Sequence, residues 1–273
     1  MNEVKSHIQI NKAILKNFSH KCLEYKNDKP CKYDKVFYLD FSDTEIKKED
    51  IKELGTSFGY YSSDMETYLS KIEGLFGDEM KKAKNYTKNN IDKLEIKFDP
   101  VIKFAAFLVL RSQYILDEVN KPTIYTTLLN MFGKNPIKPH EEILKHPEIA
   151  INYLKNRFIV NLFENMSDVE LVTPKNCIYE MCYVENNKPY LFIPFTPRLA
   201  FVLFELTEKN DKHDNIINLK TFNTSDDELI NKFNLQAFEY EQKYSNSFIV
   251  SNRRNELEKI QEYIKEKDKN DVQ

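Results

Sequence analysis

Two periods run through the pattern of apolar and polar positions, and each predicts a set of elements. Met65, Leu69, Ile72, Phe76 and Met80 recur at three- and four-residue spacing, the stripe of a helix with one buried face. Ser63, with Glu66 three residues on, forms a capping box at its start. Val101 to Leu110 is apolar almost all round, broken by Lys103, and predicts a buried central helix with Pro100 in its first turn. Residues 11–18 and Glu45 to Leu54 read as shorter helices, the second stopping at Gly55. Pro122, Pro136, Pro139 and Pro147 punctuate a run of short helices. Pro147 opens a longer one, with Ile151, Leu154, Phe158 and Leu162 on its buried face. A second capping box, Ser225 with Glu228, starts a helix that runs to about Tyr240, and Leu257, Ile260 and Ile264 stripe a final helix.

The two-residue period appears at Val36 to Phe41, with Phe37, Leu39 and Phe41 on one face and Val36, Tyr38 and Asp40 on the other. Cys177 to Val184 and Tyr190 to Phe195 read as strands joined through Asn186-Asn187-Lys188 into an antiparallel hairpin. Pro194 is expected to end the second strand or to place it at an edge. Ala200 to Phe204 has more strand than helix character. The expected fold is α+β: a predominantly helical single domain over residues 1–264 around a small antiparallel β-sheet, with a polar C-terminal tail over 265–273.

Composition narrows the function classes. With 41% hydrophobic and 30% charged residues the chain can bury a full core, and a net charge of -3 argues against a protein that coats DNA non-specifically. The first ten residues include Glu3, Lys5, His7 and Gln9 and lack the apolar run of a secretory signal. The longest apolar stretch falls well short of the roughly 20 residues of a membrane span, so a soluble, cytoplasmic protein with no membrane partner is expected. Cys22, Cys31, Cys177 and Cys182 are expected to be free thiols in such a compartment. The five glycines include no phosphate-binding loop; Gly74-Leu-Phe-Gly77 lacks its spacing and its lysine.

Arginine occurs only at 111, 157, 198, 253 and 254, and Arg111 is the most informative of these. It ends the apolar helix; if the helix continues, Phe104, Leu108, Arg111, Ile115 and Glu118 share a face. A buried guanidinium requires an acceptor, either an anionic ligand or a structural carboxylate. Glu66 and Glu73, two turns apart, are compatible with paired acid–base chemistry, although capping explains Glu66 and a solvated flank explains Glu73. His20, Cys22 and Cys31 fall in a looped region without zinc-finger spacing. Cys177 and Cys182, an odd distance apart on a strand, point to opposite faces. His140 and His146 lie off the spacing of a helical metal motif, and no metal site is expected. Lys81, Lys82, Lys84, Lys88, Lys93 and Lys97, interleaved with Tyr86, form either a nucleic-acid surface or an ordinary solvated face.

Several segments together resemble the bacterial DUF4238 family of unknown function. They are Ile14-Leu-Lys-Asn-Phe-Ser19; Val36-Phe-Tyr-Leu-Asp40; Phe58-Gly-Tyr-Tyr-Ser62 followed by Glu66 and Leu69; Arg111 after an apolar helix; Ile193-Pro-Phe-Thr-Pro-Arg198; and Leu229-Ile-Asn231 with Tyr244 and Phe248. The order of these segments spans nearly the whole chain and implies one domain. His7 is displaced by one residue from the family register, and Asn11 stands where a proline is usual. Thr173-Pro-Lys-Asn-Cys177 keeps Thr173 and Asn176 of the family turn without its Asp. The resemblance implies candidate positions rather than a reaction or a cofactor. The expected site gathers His7, Asp40, Glu66 and Asn176 around Arg111, which holds an anion while Glu66 or Asp40 orients it or acts as base. Two rivals stand beside this: a nucleic-acid-binding module using the Lys and Tyr surface, and a non-catalytic interaction protein of a bacterial defence or prophage gene set.

Overall fold

The computed structural model describes residues 5–7, 10–26, 29–58, 60–89, 95–112, 115, 139–182, 189–205, 216–218, 222–244 and 247–271. One five-stranded sheet runs in the order β13 (Phe222–Thr224), β7 (Phe158–Asn165), β11 (Leu199–Glu205), β10 (Pro189–Thr196), β9 (Tyr179–Cys182). Its pairings are antiparallel except for β13 on β7. The second runs β2 (His20–Lys26), β3 (Lys29–Asp40), β14 (Phe248–Ser251), β8 (Thr173–Pro174), with β4 (Ile46–Asp50) also on β3. Two short ladders join β1 (Lys5–His7) to β5 (Thr56–Phe58) and β6 (Glu95–Lys97) to β12 (Ile216–Asn218).

Both large sheets are covered on both faces, so alternate residues of one strand enter different cores. In β11, Leu199, Phe201 and Leu203 join one hydrophobic cluster, and Ala200 and Val202 the other. In β3, Val36 enters the first cluster and Leu39 the second, with Tyr38 beside one and Phe37 and Phe41 beside the other, as its alternation predicts. The first cluster is closed by α1 (Lys12–Phe18), α2 (Ser63–Asn89), α3 (Phe98–Leu110), α4 (Pro139–Lys145) and α5 (Glu148–Arg157). The second is closed by α6 (Asp227–Glu241) and α7 (Arg254–Asp271). The α2 stripe is buried throughout, and Phe76 stacks on Phe104 of α3 with ring centroids 3.8 Å apart. No helix among the described residues is long and apolar enough to cross a membrane.

The α+β class holds, but the sheets are larger than the expected single small one. Part of that difference comes from Glu45 to Leu54, which is not helical. Ile46–Asp50 pairs antiparallel with β3, and residues 51–55 form a turn closed by Gly55 at φ +66. A Cβ added there would lie 2.7 Å from Ile10 Cγ2, so the position needs glycine on two grounds. The helix begun at Pro147 ends at Arg157, and Phe158 and Leu162 are buried in β7 instead. Their four-residue spacing is also even, so a helix face and a strand face predict the same contacts. The strand at Ala200 to Phe204 and the pairing of β9 with β10 are present, while Val184 and the Asn186–Lys188 turn lie outside the described residues. β10 runs on past Pro194 to Thr196, but the β9 ladder stops at Phe192, so among the described residues Pro194 pairs with Ala200 of β11 alone, with a register shift just after it. His20, Cys22 and Cys31 belong to the β2–β3 hairpin rather than to a loop.

Candidate ligand cleft around Arg111

Arg111 is the C-cap of α3; the helix ends there, and its backbone N–H donates to Phe107 O. Its side chain, only 3% exposed, turns between α2 and the segment before it. Nη1 donates to Glu73 Oε1 at 3.2 Å, and the guanidinium lies 5.7 Å from the Tyr61 ring centroid. Burial works against the charge, but Tyr61 and Glu73 outweigh it and hold the guanidinium pKa above its ordinary value. Burial also raises the Tyr61 phenol, with Arg111 opposing.

Tyr61 is fixed from behind. The His140 ring nitrogen Nε2 lies 2.8 Å from Leu110 O, and a carbonyl can only accept, so Nε2 carries the proton. The other ring nitrogen is then the acceptor for the Tyr61 hydroxyl at 3.4 Å. Burial lowers the imidazole pKa to about 4, and Arg111 adds to the effect against the Leu110 bond, so His140 is neutral at pH 7. The next residue, Glu141, accepts from Ser62 N–H at 3.0 Å and from the Ser62 hydroxyl. Ser62 Oγ in turn accepts from Met65 N–H at 3.3 Å. The cap of α2 is therefore Ser62, one residue before the expected Ser63, and the reciprocal carboxylate is Glu141 from α4 rather than Glu66. Glu66 is left without that local role.

A cleft of about 420 Å³ opens in front of this network, lined by Lys12, Lys52, Glu53, Glu66, Leu69, Ser70, Glu73 and Arg111. Glu66, Ser70 and Glu73 follow one face of α2, Lys12 begins α1, and Lys52 and Glu53 come from the turn that Gly55 closes. Of the expected site residues, Arg111 and Glu66 meet in this cleft. Asp40 does not line it: its carboxylate accepts from Ser42 N–H at 3.0 Å and from Lys47 Nζ at 3.1 Å at the β3–β4 turn. Asn176 does not line it either; its Nδ2 donates to the Glu241 carboxylate at 3.1 and 3.2 Å. The backbone of His7 pairs with Thr56, just past the turn that supplies Lys52 and Glu53, while its side chain lies outside what the structure describes. Glu118, Pro122 and Pro136 also lie outside the described residues.

The other candidates are accounted for locally. Burial pushes the Cys177 thiol up to about 12, which leaves it a poor nucleophile at neutral pH. His20 stacks on Phe37, and among the described residues no group of three or more His, Cys, Asp or Glu side chains is placed to hold a metal ion. Lys81 and Lys82 pair with Asp78 and Glu79, and Lys84 donates to Asn17, so these lysines are engaged locally. The sequence reading missed Tyr61, His140 and Glu141. A usable signal was present in two aromatics before a helix start and in a Pro-His-Glu helix opening. Comparison of the chain with protein-family models, curated proteins and solved structures finds no match.

Proposed function

We propose that the Arg111 cleft binds a small anionic molecule bearing a phosphate or carboxylate. One observation carries this reading: a guanidinium 3% exposed sits at the floor of an open cleft, held in place by Tyr61 and Glu73. A fixed planar donor of this kind suits an oxyanion better than a flexible surface lysine does. Lys12 and Lys52 add positive charge at the sides, and Glu66 orients the ligand. The same proposal places the chain in the DUF4238 family, on the strength of the ordered segments that resemble it.

Thermal unfolding against nucleotides, inorganic phosphate and dicarboxylates tests the reading, with Arg111→Lys as the comparison. Selective binding to the native state raises Tm by mass action. The expected result is an anion that stabilises the wild type and fails to stabilise a folded Arg111→Lys, which keeps the charge but loses the fork. If no anion shifts the wild type, the reading falls.

A second reading, an interaction protein without chemistry, is favoured by Ile149 and Tyr153, 79% and 50% exposed and four residues apart on α5. Leu75 and Tyr68 of α2 are exposed as well, and Tyr68 lies within electrostatic reach of Glu148 at the start of α5. Sedimentation over a wide concentration range, compared with Ile149→Lys, tests whether this surface self-associates. A monomer at every concentration removes that form of the reading.

A further inference from the structure

We infer that the ligand of the Arg111 cleft is a zwitterion: a small molecule carrying a protonated amine as well as its anionic group. This rests on the reading of the cleft as a binding site and adds the second half of the ligand.

The charges of the lining motivate it. Among the described residues of the lining, Lys12, Lys52 and Arg111 face Glu53, Glu66 and Glu73, and their formal charges balance. A multiply charged anion entering such a site meets three carboxylates with no surplus of positive charge to offset them. A molecule with one charge of each sign meets a partner for both.

The charges are also ordered along the cleft. Arg111 is buried at the floor and is bridged to Glu73. Glu66 stands at the mouth: it and Ser70 also line a shallow groove with Ser63, Thr67 and Lys71 on the outer side of α2. Among the described residues Glu66 makes no ion pair within the protein, and its former explanation as a capping carboxylate belongs to Glu141. Glu66 and Glu73 are seven residues apart on one helix face, a rise of roughly 10 Å at about 1.5 Å per residue. A ligand anion directed to the Arg111 end therefore leaves a protonated amine in reach of Glu66, with the Ser70 hydroxyl between them. An ammonium–carboxylate contact is a charge-assisted hydrogen bond and selects for the amine.

The test compares ω-amino acids and aminoalkyl phosphates, each beside its N-acetylated form, by thermal shift and then by titration calorimetry. Wild type and Glu66→Gln are measured in parallel; Glu66 is half-buried on an exposed flank, so the variant is expected to fold. The expected result is a zwitterion that binds the wild type at least about tenfold more tightly than its N-acetylated form. Glu66→Gln closes that gap by weakening the zwitterion, while the N-acetylated form, relieved of one facing carboxylate, binds no more weakly than it does to the wild type. Equal binding of the two forms overturns the zwitterion and leaves the anion site standing. If the zwitterions fail while inorganic phosphate or a simple carboxylate binds, the inference is likewise overturned alone. If nothing in the set binds, both readings fall.

Discussion

Arg111 and Glu241 are both buried ionisable side chains, and they are kept in opposite ways. At Arg111 an opposite charge and a phenol surround a guanidinium, and the group stays charged at any accessible pH. At Glu241, the last residue of α6, the donors to the carboxylate among the described residues are neutral. These are Ser247 Oγ at 2.7 Å, Asn176 Nδ2 at 3.1 Å and the Asn176 backbone N–H at 3.5 Å, with Lys175 acting from farther off. A carboxylate at a helix C-terminus also meets the wrong end of the helix dipole. Burial prevails there and raises its pKa to about 7. The buried Cys177 thiol lies within electrostatic reach of both, with Arg111 lowering its pKa and Glu241 raising it. A counter-charge fixes an ionisation state, whereas neutral dipoles leave it open to pH.

The largest effect should come from breaking the paired centre. Arg111→Ala takes the guanidinium away from the Glu73 carboxylate and from the Tyr61 ring, and a loss of about 3 kcal/mol or more is expected in urea unfolding. A loss below about 1 kcal/mol would show the guanidinium to be dispensable to the fold.

The next effect is a pH dependence of opposite sign at two sites. The folded pKa of Glu241 lies above its unfolded value, so its contribution is full below about pH 4.5 and is lost as pH rises through about 7. The folded pKa of His140 lies below its unfolded value, so its contribution is full above about pH 6.5 and is lost as pH falls through about 4. Each shift corresponds to about 3 kcal/mol, and over the shared window the two nearly cancel. Glu241→Gln should therefore uncover a stability that falls on acidification, and His140→Asn one that falls on the way to neutral. Denaturation between pH 4 and 8 checks both; an unchanged profile in either variant removes that residue from the account.

Smaller effects separate Ser62 from Glu66 at the start of α2. Ser62→Ala removes the true cap and should cost about 1 kcal/mol. Glu66→Gln should change stability by less than about 0.5 kcal/mol, since the cap does not use Glu66. Equal costs for the two variants would restore the local capping box.

Legibility in the sequence followed the strength of the local period. The α2 stripe buries one residue set and the β3 alternation sends two sets to different cores, and both were readable from spacing alone. The helix starts were displaced by one because adjacent candidates, Ser62 beside Ser63 and Ser225 beside Asp226, compete for the cap, and at α2 the distant Glu141 holds Ser62. Asp226 is the residue that caps α6, accepting from Glu228 and Leu229. Ile46–Asp50 has one apolar residue in five, too few to separate a polar strand from a polar helix. Arg111 was recognisable as a buried cation at a helix end, but its surroundings were not. His140 acts on Tyr61 across 79 residues of chain, a relation that no local pattern carries. Asp40 and Asn176 were polar residues in quoted motifs, and each proved to satisfy its own turn or helix end.

The clasp of Glu141 on Ser62 has a consequence in time. During synthesis all of α2 leaves the ribosome while its own N-terminal clasp is still missing, because the carboxylate lies 79 residues further on. Closing so long a loop is an entropic cost that a folding chain meets late, after local helix has formed. Glu141→Ala should accordingly quicken unfolding and leave the rate of folding nearly unchanged.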